Sequence, residues 1–250
     1  MSRQRLQKLI ASAGLCSRRR AEQWLIAGRV TVDDRAAVLG DQADPAQQMI
    51  CVDGKPLLLP DRARVLLLNK PQGVISSCRD PQGRSTVLEL LPSHLRRGLH
   101  PVGRLDADSR GALLLTDQGE LTLRLTHPRY DHVKTYRVWV DGNPDEATLQ
   151  RWRRGVLLDG QPTRPTRVRR CRLHGCRCLL ELELQEGRNR QIRRVAELLG
   201  YPVLDLQRIA IAGLPLGDLQ EGRWRRLSEG EGKPLLGGDP PLSEQNRPCD

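Results

Sequence analysis

Apolar positions recur at helical spacing from the start of the chain. Leu6, Leu9, Ile10 and Ala13 fall on one helix face, and Gly14 supplies a stop. A second helix opens at Ser17, a natural cap. Ala21, Trp24 and Leu25 form its apolar side, and Gly28 lies just past its end. The pattern then changes to alternation. "RVTVDDRAA" reads as a strand and turn, and "MICVDGKPL" as a strand with an Asp-Gly turn. Pro60 and the charges around it in "LLLPDRARV" interrupt the apolar runs, which places a domain boundary near residue 62.

Beyond that point strand-like and helix-like patterns mix. "KTYRVWVDG" and "LLELELQ" alternate, whereas "DEATLQRWRRGV" and "RQIRRVAELLG" carry helical periods. Strands often follow strands with no helix between them, so the pattern predicts an α+β fold rather than a doubly wound parallel sheet. In the last helix Ile192, Val195, Ala196 and Leu199 form a buried stripe, and Arg190, Arg193, Arg194 and Glu197 a charged one. From residue 229 to 250 the chain has eight Gly or Pro in 22 residues, which predicts a disordered tail. Three regions result: 1–61, 62–228 and 229–250.

Composition narrows the class. The 250 residues are 38% hydrophobic and 28% charged, as in a globular protein, and Phe is absent, so the core rests on Leu, Val, Ile and Ala. No apolar run approaches the roughly 20 residues a membrane span needs. The first residues lack the apolar stretch and cleavage site of a secretory signal. The expectation is a cytoplasmic protein, no membrane contact, and seven cysteines kept reduced.

Formal net charge is +11, mostly from Arg, which points to a polyanionic partner. Arg18, Arg19 and Arg20 crowd the first turn of the second helix, where the helix dipole disfavours cations. A phosphate docked at that helix start would account for them; a solvated Arg cluster is the plainer alternative. Arginines collect again at the start of the "RQIRR" helix. There the compensating group is RNA phosphate, a carboxylate such as Asp106, or simply solvent. Tyr136 shares a strand face with Lys134, Val138 and Val140, so it is either a core residue or a ring that stacks on a base.

"CRLHGCRC" has metal-like content in Cys171, His174, Cys176 and Cys178. Its spacings match no common zinc pattern, and it reads better as two strands joined by a His-Gly turn. No metal site is expected. The acids that stand out are Asp106 and Asp108 in "GRLDADSRGALLLTDQGE", set in a Gly-bounded turn ahead of a buried strand. Sequence alone does not choose between them.

Two resemblances sharpen these readings. "RLQKLIASAGLCSRRRAEQWLIAGRVTVDDRAA" resembles the S-four type of ribosomal RNA-binding domain, two helices and a hairpin that grip structured RNA through the second helix. "LNKPQGVISSCRDPQGRSTVLELLP", "HPVGRLDADSRGALLLTDQGE", "HPRYDHVKTYRVWV" and "EGRNRQIRRVAELLGYPVLDLQRIAIAGLPLGDLQEGRWRRL" resemble, in order, the ribosomal small-subunit pseudouridine synthase A family. That resemblance implies a catalytic domain on a mixed, largely antiparallel sheet. Its Gly-Arg-Leu-Asp motif places the catalytic carboxylate at Asp106, its active-site ring at Tyr136 and the basic partner of Asp106 at Arg193. Ala112 and Val195 stand where the family more often has Leu and Met.

The implied activity is isomerisation of a flipped-out uridine in ribosomal RNA, with no cofactor, by a monomer. Arg18, Arg19, Arg20, Arg104, Arg188, Arg190 and Arg194 are the expected RNA-binding residues. "GRNRQIRR" leans towards the large-subunit members. Two other functions fit parts of the pattern: a non-catalytic RNA-binding or assembly factor, and a glycoside hydrolase using Asp106 and Asp108 as its carboxylate pair.

Overall fold

A computed structural model describes residues 3–59 and 64–236. The boundary expected near residue 62 and the end of the tail, 237–250, lie outside the described residues.

The N-terminal module forms as its pattern predicts. Helix α1 (Leu6–Ser12) buries Leu6, Leu9 and Ile10, and Gly14 follows it at φ 71°, a left-handed position that suits glycine. Helix α2 (Arg18–Ile26) buries Ala21 and Leu25, and the Ser17 hydroxyl accepts from the Arg20 N–H at 3.3 Å. Strands β1 (Val30–Val32) and β2 (Ile50–Val52) pair antiparallel, and each runs into a tight turn. Asp33 and Asp34 make the first, Asp53 and Gly54 the second, all at positive φ as such hairpin turns require. The two helices and these strands share one apolar core.

The second region is a nine-stranded sheet. Its main strands are β3 (Val65–Lys70), β4 (Arg110–Thr116), β5 (Lys134–Asp141), β6 (Arg167–His174), β7 (Arg177–Leu184), β8 (Val203–Ile211) and β9 (Trp224–Arg226). They lie in the order β6-β7-β5-β8-β4-β3-β9, with two short strands pairing off that path. Every pairing is antiparallel except β8 with β4. The sheet is therefore mixed and largely antiparallel. "CRLHGCRC" spans the turn between β6 and β7, as its hairpin reading requires.

Helices cover the sheet where apolar residues face out of it. Helix α3 (Gly119–Thr126) follows β4, and helix α4 (Glu146–Arg154) is capped by the Asp145 carboxylate, which accepts from the Thr148 N–H at 2.8 Å. Helix α5 (Gln191–Leu198) presents Ile192, Val195 and Ala196 to Val138, Val140, Leu180 and Leu182, and Leu199 just beyond it joins that core. The buried stripe is the one its period predicts.

The expected disorder from residue 229 meets a helix instead. Helix α6 (Glu229–Leu236) is fixed at its start by Glu231, which takes the Ser228 N–H at 2.9 Å and pairs with Arg225 at 2.6 Å. Leu235 then packs with Leu121 and Leu125 of α3. Counting glycines and prolines hid this anchor, because it depends on Arg225 in a strand upstream.

The two regions touch. Lys8 of α1 pairs with Glu120 of α3 at 2.6 Å, and a cleft between them is lined by Gln4, Lys8, Leu9, Leu59 and Asp117. Gly14 packs against the backbone of Gly98 so closely that a Cβ would come within 3.1 Å of it.

Candidate active site

The acid turn is clamped from below and from one side. Lys70, at the end of β3, is fully buried, and its ammonium donates to the carbonyls of Ser109 and Pro71, each at 2.8 Å. Ser76 both donates to and accepts from the backbone of Leu105, and the Gly73 N–H reaches the Ala107 carbonyl at 2.7 Å. Within the turn the Ser109 N–H donates to the Asp106 carbonyl. Gly111 follows at φ 108°, where any Cβ would sit 2.2 Å from the Arg208 carbonyl oxygen. Only glycine lets β4 lie this close to β8.

Sheet register sets out what lies beside the turn. Tyr136 is opposite Arg208, Arg208 opposite Gly111, and Gly111 opposite Lys70. A row across four strands thus places Tyr136 two strands from the acid turn, with Arg208 between them. Tyr136 is half-buried against the core beneath α5. Arg208 is buried, donates through Nε to the Ala112 carbonyl at 2.7 Å, and keeps Nη2 without a partner among the described residues.

The arginines at the start of α5 meet carboxylates, one of the explanations open from sequence. Arg190 occupies the cap position at φ 48° and ψ 30°, a left-handed conformation that costs a non-glycine residue about 1 kcal/mol or more. From there its guanidinium grips Asp108 with two hydrogen bonds, at 2.7 and 3.2 Å, and comes within 3.8 Å of Asp106. Arg193 also turns to Asp108. Its Nε lies 3.3 Å from the carboxylate and its Nη2 donates to the Asp108 carbonyl at 2.7 Å.

Arg193 was expected to pair with Asp106, and the structure corrects that pairing. The arginine nearest Asp106 is Arg190, because Arg193 sits a turn further along α5 and reaches only the outer acid. Burial pushes the Asp108 carboxyl up, but the Arg190 hydrogen bond and the charges of Arg193 and Arg190 outweigh it and hold the group below the usual range. The side chain of Asp106 is 30% exposed and takes no side-chain hydrogen bond among the described residues. The two acids therefore differ: Asp108 is engaged on both oxygens or their neighbours, and Asp106 is open.

The remaining expected residues divide. Arg18, Arg19, Arg20 and Arg104 are exposed, and Arg18 leans against Gly119 at the start of α3. Arg188 and Arg194 turn inward to the protein. Arg188 donates to the carbonyls of Gln161 and Pro162, and Arg194 binds Asp159 at 2.9 Å. Sequence reasoning missed Lys70, Ser76 and Arg208. A lysine closing the apolar run "VLLLNK" was a signal for the first; nothing local marks the other two.

Burial lowers the Lys70 pKa from 10.5 to about 8, against the raising fields of Asp108 and Asp106. Among the described residues no cluster of three or more metal-ligating acids, cysteines or histidines occurs, and no helix is long and apolar enough to cross a membrane.

An accessible carboxylate, with an aromatic ring two strands away on the same sheet and a basic helical module attached, is the build of an enzyme acting on RNA. The RNA pseudouridylate synthase family profile matches residues 64–198, and the S4 domain profile matches residues 4–41. The chain belongs to the RNA pseudouridine synthase family, the isomerases that turn uridine into pseudouridine, and carries an S4 domain at its N-terminal end.

It is 40% identical over 229 residues to an uncharacterized RNA pseudouridine synthase of Aquifex aeolicus, covering 91% of each chain. It is 38% identical over 235 residues to ribosomal large subunit pseudouridine synthase B of Bacillus subtilis, covering 93% of this chain and 95% of that one. A pseudouridylate synthase crystal structure superposes with a TM-score of 0.67 at 30% identity, covering 92% of this chain and 99% of the other.

Proposed function

We propose that this chain isomerises a uridine of large-subunit ribosomal RNA to pseudouridine in the cytoplasm, with Asp106 as the catalytic carboxylate. The observation that carries the assignment is the division of labour between the acids. Asp108 gathers Arg190 and Arg193, and Asp106 is left accessible, held by a clamped backbone and free to meet a substrate. The large-subunit assignment draws on the likeness to the Bacillus subtilis enzyme.

The reaction breaks the bond from the sugar C1′ to N1 of uracil, turns the base, and joins C1′ to C5. The C5 proton leaves and N1 gains one, so atoms and electrons balance without a redox partner or group donor. A positioned carboxylate serves as nucleophile or proton acceptor at the sugar. Tyr136 stacks on the uracil, which must leave the RNA helix to reach the site. Arg190 supplies a positive charge 3.8 Å from the Asp106 carboxylate. Arg193 acts one step away, by fixing Asp108 and with it the orientation of Arg190. Arg18, Arg19, Arg20 and Arg104 hold phosphates. A glycoside hydrolase would need one acid protonated, and Asp108 is held as the anion by its arginines.

RNA tritiated at C5 of uridine tests the assignment, because bond formation at C5 releases that tritium to water. Asp106→Asn is expected to release none while still binding RNA. Asp108→Asn is expected to retain measurable turnover at a rate reduced about 10–100-fold, through loss of positioning. Turnover by Asp106→Asn with Asp108→Asn inert would reverse the two roles.

A further inference from the structure

The two faces of the sheet differ around β5. One carries Tyr136, Val138 and Val140 and is covered by α4 and α5. The opposite face presents Arg137 and Trp139. Trp139 lies opposite Leu179 on β7, and Leu179 opposite Arg172 on β6. The next row towards the β6–β7 turn holds Asp141, Arg177 and His174. Trp139 is half-buried yet joins none of the buried apolar clusters among the described residues. In a chain with 3% aromatics and no Phe, an indole displayed on a sheet face without a core to fill calls for another role.

The charges around it are unevenly satisfied. Glu181 is held by Arg169 at 2.9 Å and approached by Arg137 at 3.9 Å, and Glu183 is approached by Arg167 at 3.6 Å. Arg172 and Arg177 are exposed and make no ion pair or side-chain hydrogen bond among the described residues. From residue 160 to residue 180 the chain has no acid at all. The free cations thus lie on one side of the half-buried ring. Arg172 lies two strand spacings from it, about 10 Å, the rise of about three stacked nucleotides, and Arg177 lies on the adjacent strand one row further on.

We propose that the uncovered face of β5, β7 and β6 is a second RNA-binding platform, where a base of an unpaired segment stacks on Trp139 and Arg172 and Arg177 hold its phosphates. It rests on the isomerase reading above and extends it. The face lies behind the one that carries Tyr136, so it takes a stretch of the same RNA away from the target uridine. Every base offers a ring face to an indole, so the platform adds affinity without demanding sequence. Arginine on an edge strand such as β6 also deters strand addition. That purpose does not explain an indole two strands inward.

The test uses the full chain with Trp139→Ala, Arg172→Gln and Arg177→Gln combined, and a large-subunit ribosomal RNA transcript as probe. Affinity is expected to fall roughly tenfold, and the slope of log affinity against log salt to flatten by about one to two units. Trp139→Phe alone, which keeps an aromatic face, is expected to retain most of the affinity. Tritium release at saturating transcript and the thermal melt are expected to match the unaltered chain. Unchanged affinity and salt slope would overturn the proposal. So would a change in sedimentation in place of RNA affinity, which would make the face a protein interface. If the unaltered chain binds transcript but releases no tritium, the isomerase reading fails, and the affinity comparison still decides the platform.

Discussion

At the residue scale, the separation of Asp106 from Asp108 depends on side chains that come from elsewhere in the chain. Sequence marked both acids and left them level; the resemblance picked Asp106; in the structure Asp108 collects Arg190 and Arg193, and Arg190 comes no nearer than 3.8 Å to Asp106. Lys70 illustrates what sequence conceals. Its ammonium is buried to hold the carbonyls that shape the acid turn. Its folded pKa, about 8, lies below the 10.5 of an ordinary lysine.

Between those values the unfolded chain holds the proton more fully, so stability rises with pH across that window. Below pH 8 the whole burial penalty is present, roughly 3 kcal/mol at most. The unfolding free energy of the unaltered chain, relative to Lys70→Met, is therefore expected to improve by up to that amount from pH 8 to 10.5. Urea titrations at several pH values check this, and a flat difference would show that Lys70 titrates normally.

At the scale of elements, strands and helices were legible wherever an apolar period ran uninterrupted. α1, α2, β5, β7 and α5 all appear where their patterns put them, and the Gly-bounded acid turn does precede a buried strand. What sequence could not show was register. The row from Tyr136 through Arg208 and Gly111 to Lys70 joins four strands distant in sequence, and no local pattern encodes it. The same limit hid the partner exchange at α5, where a left-handed Arg190 takes the place expected of Arg193, and the anchoring of α6 by Arg225.

Gly111 is the point where this row is most exposed to damage. Gly111→Ala would set a Cβ against the Arg208 carbonyl at a φ that alanine resists. A loss of about 2 kcal/mol or more in stability, with a larger loss of turnover, is expected. Calorimetry and tritium release measure the two. An alanine variant as stable and active as the parent would mean that the β4–β8 approach does not require glycine at position 111.

At the scale of the whole molecule, a basic module sits against a pseudouridine synthase domain whose proposed reactive group is an acid. The net charge is +11, and Arg190 comes within 3.8 Å of Asp106; on the proposed reading the positive surface recruits RNA and Asp106 does the chemistry. The two roles separate in a binding measurement. Replacing Arg18, Arg19 and Arg20 with Gln is expected to weaken RNA binding and flatten its salt dependence by about two units, with little change in the rate at saturation. Filter binding at several salt concentrations shows whether α2 grips RNA, and an unchanged slope would remove it from the interface.

The central claim is that Asp106 converts a uridine of ribosomal RNA to pseudouridine. The most direct measurement maps pseudouridines in ribosomal RNA from cells that lack this protein and are supplied with either the unaltered chain or Asp106→Asn. A pseudouridine in large-subunit RNA that the unaltered chain restores and Asp106→Asn does not is the predicted result. Restoration by Asp106→Asn, or no difference between cells with and without the protein, would contradict it.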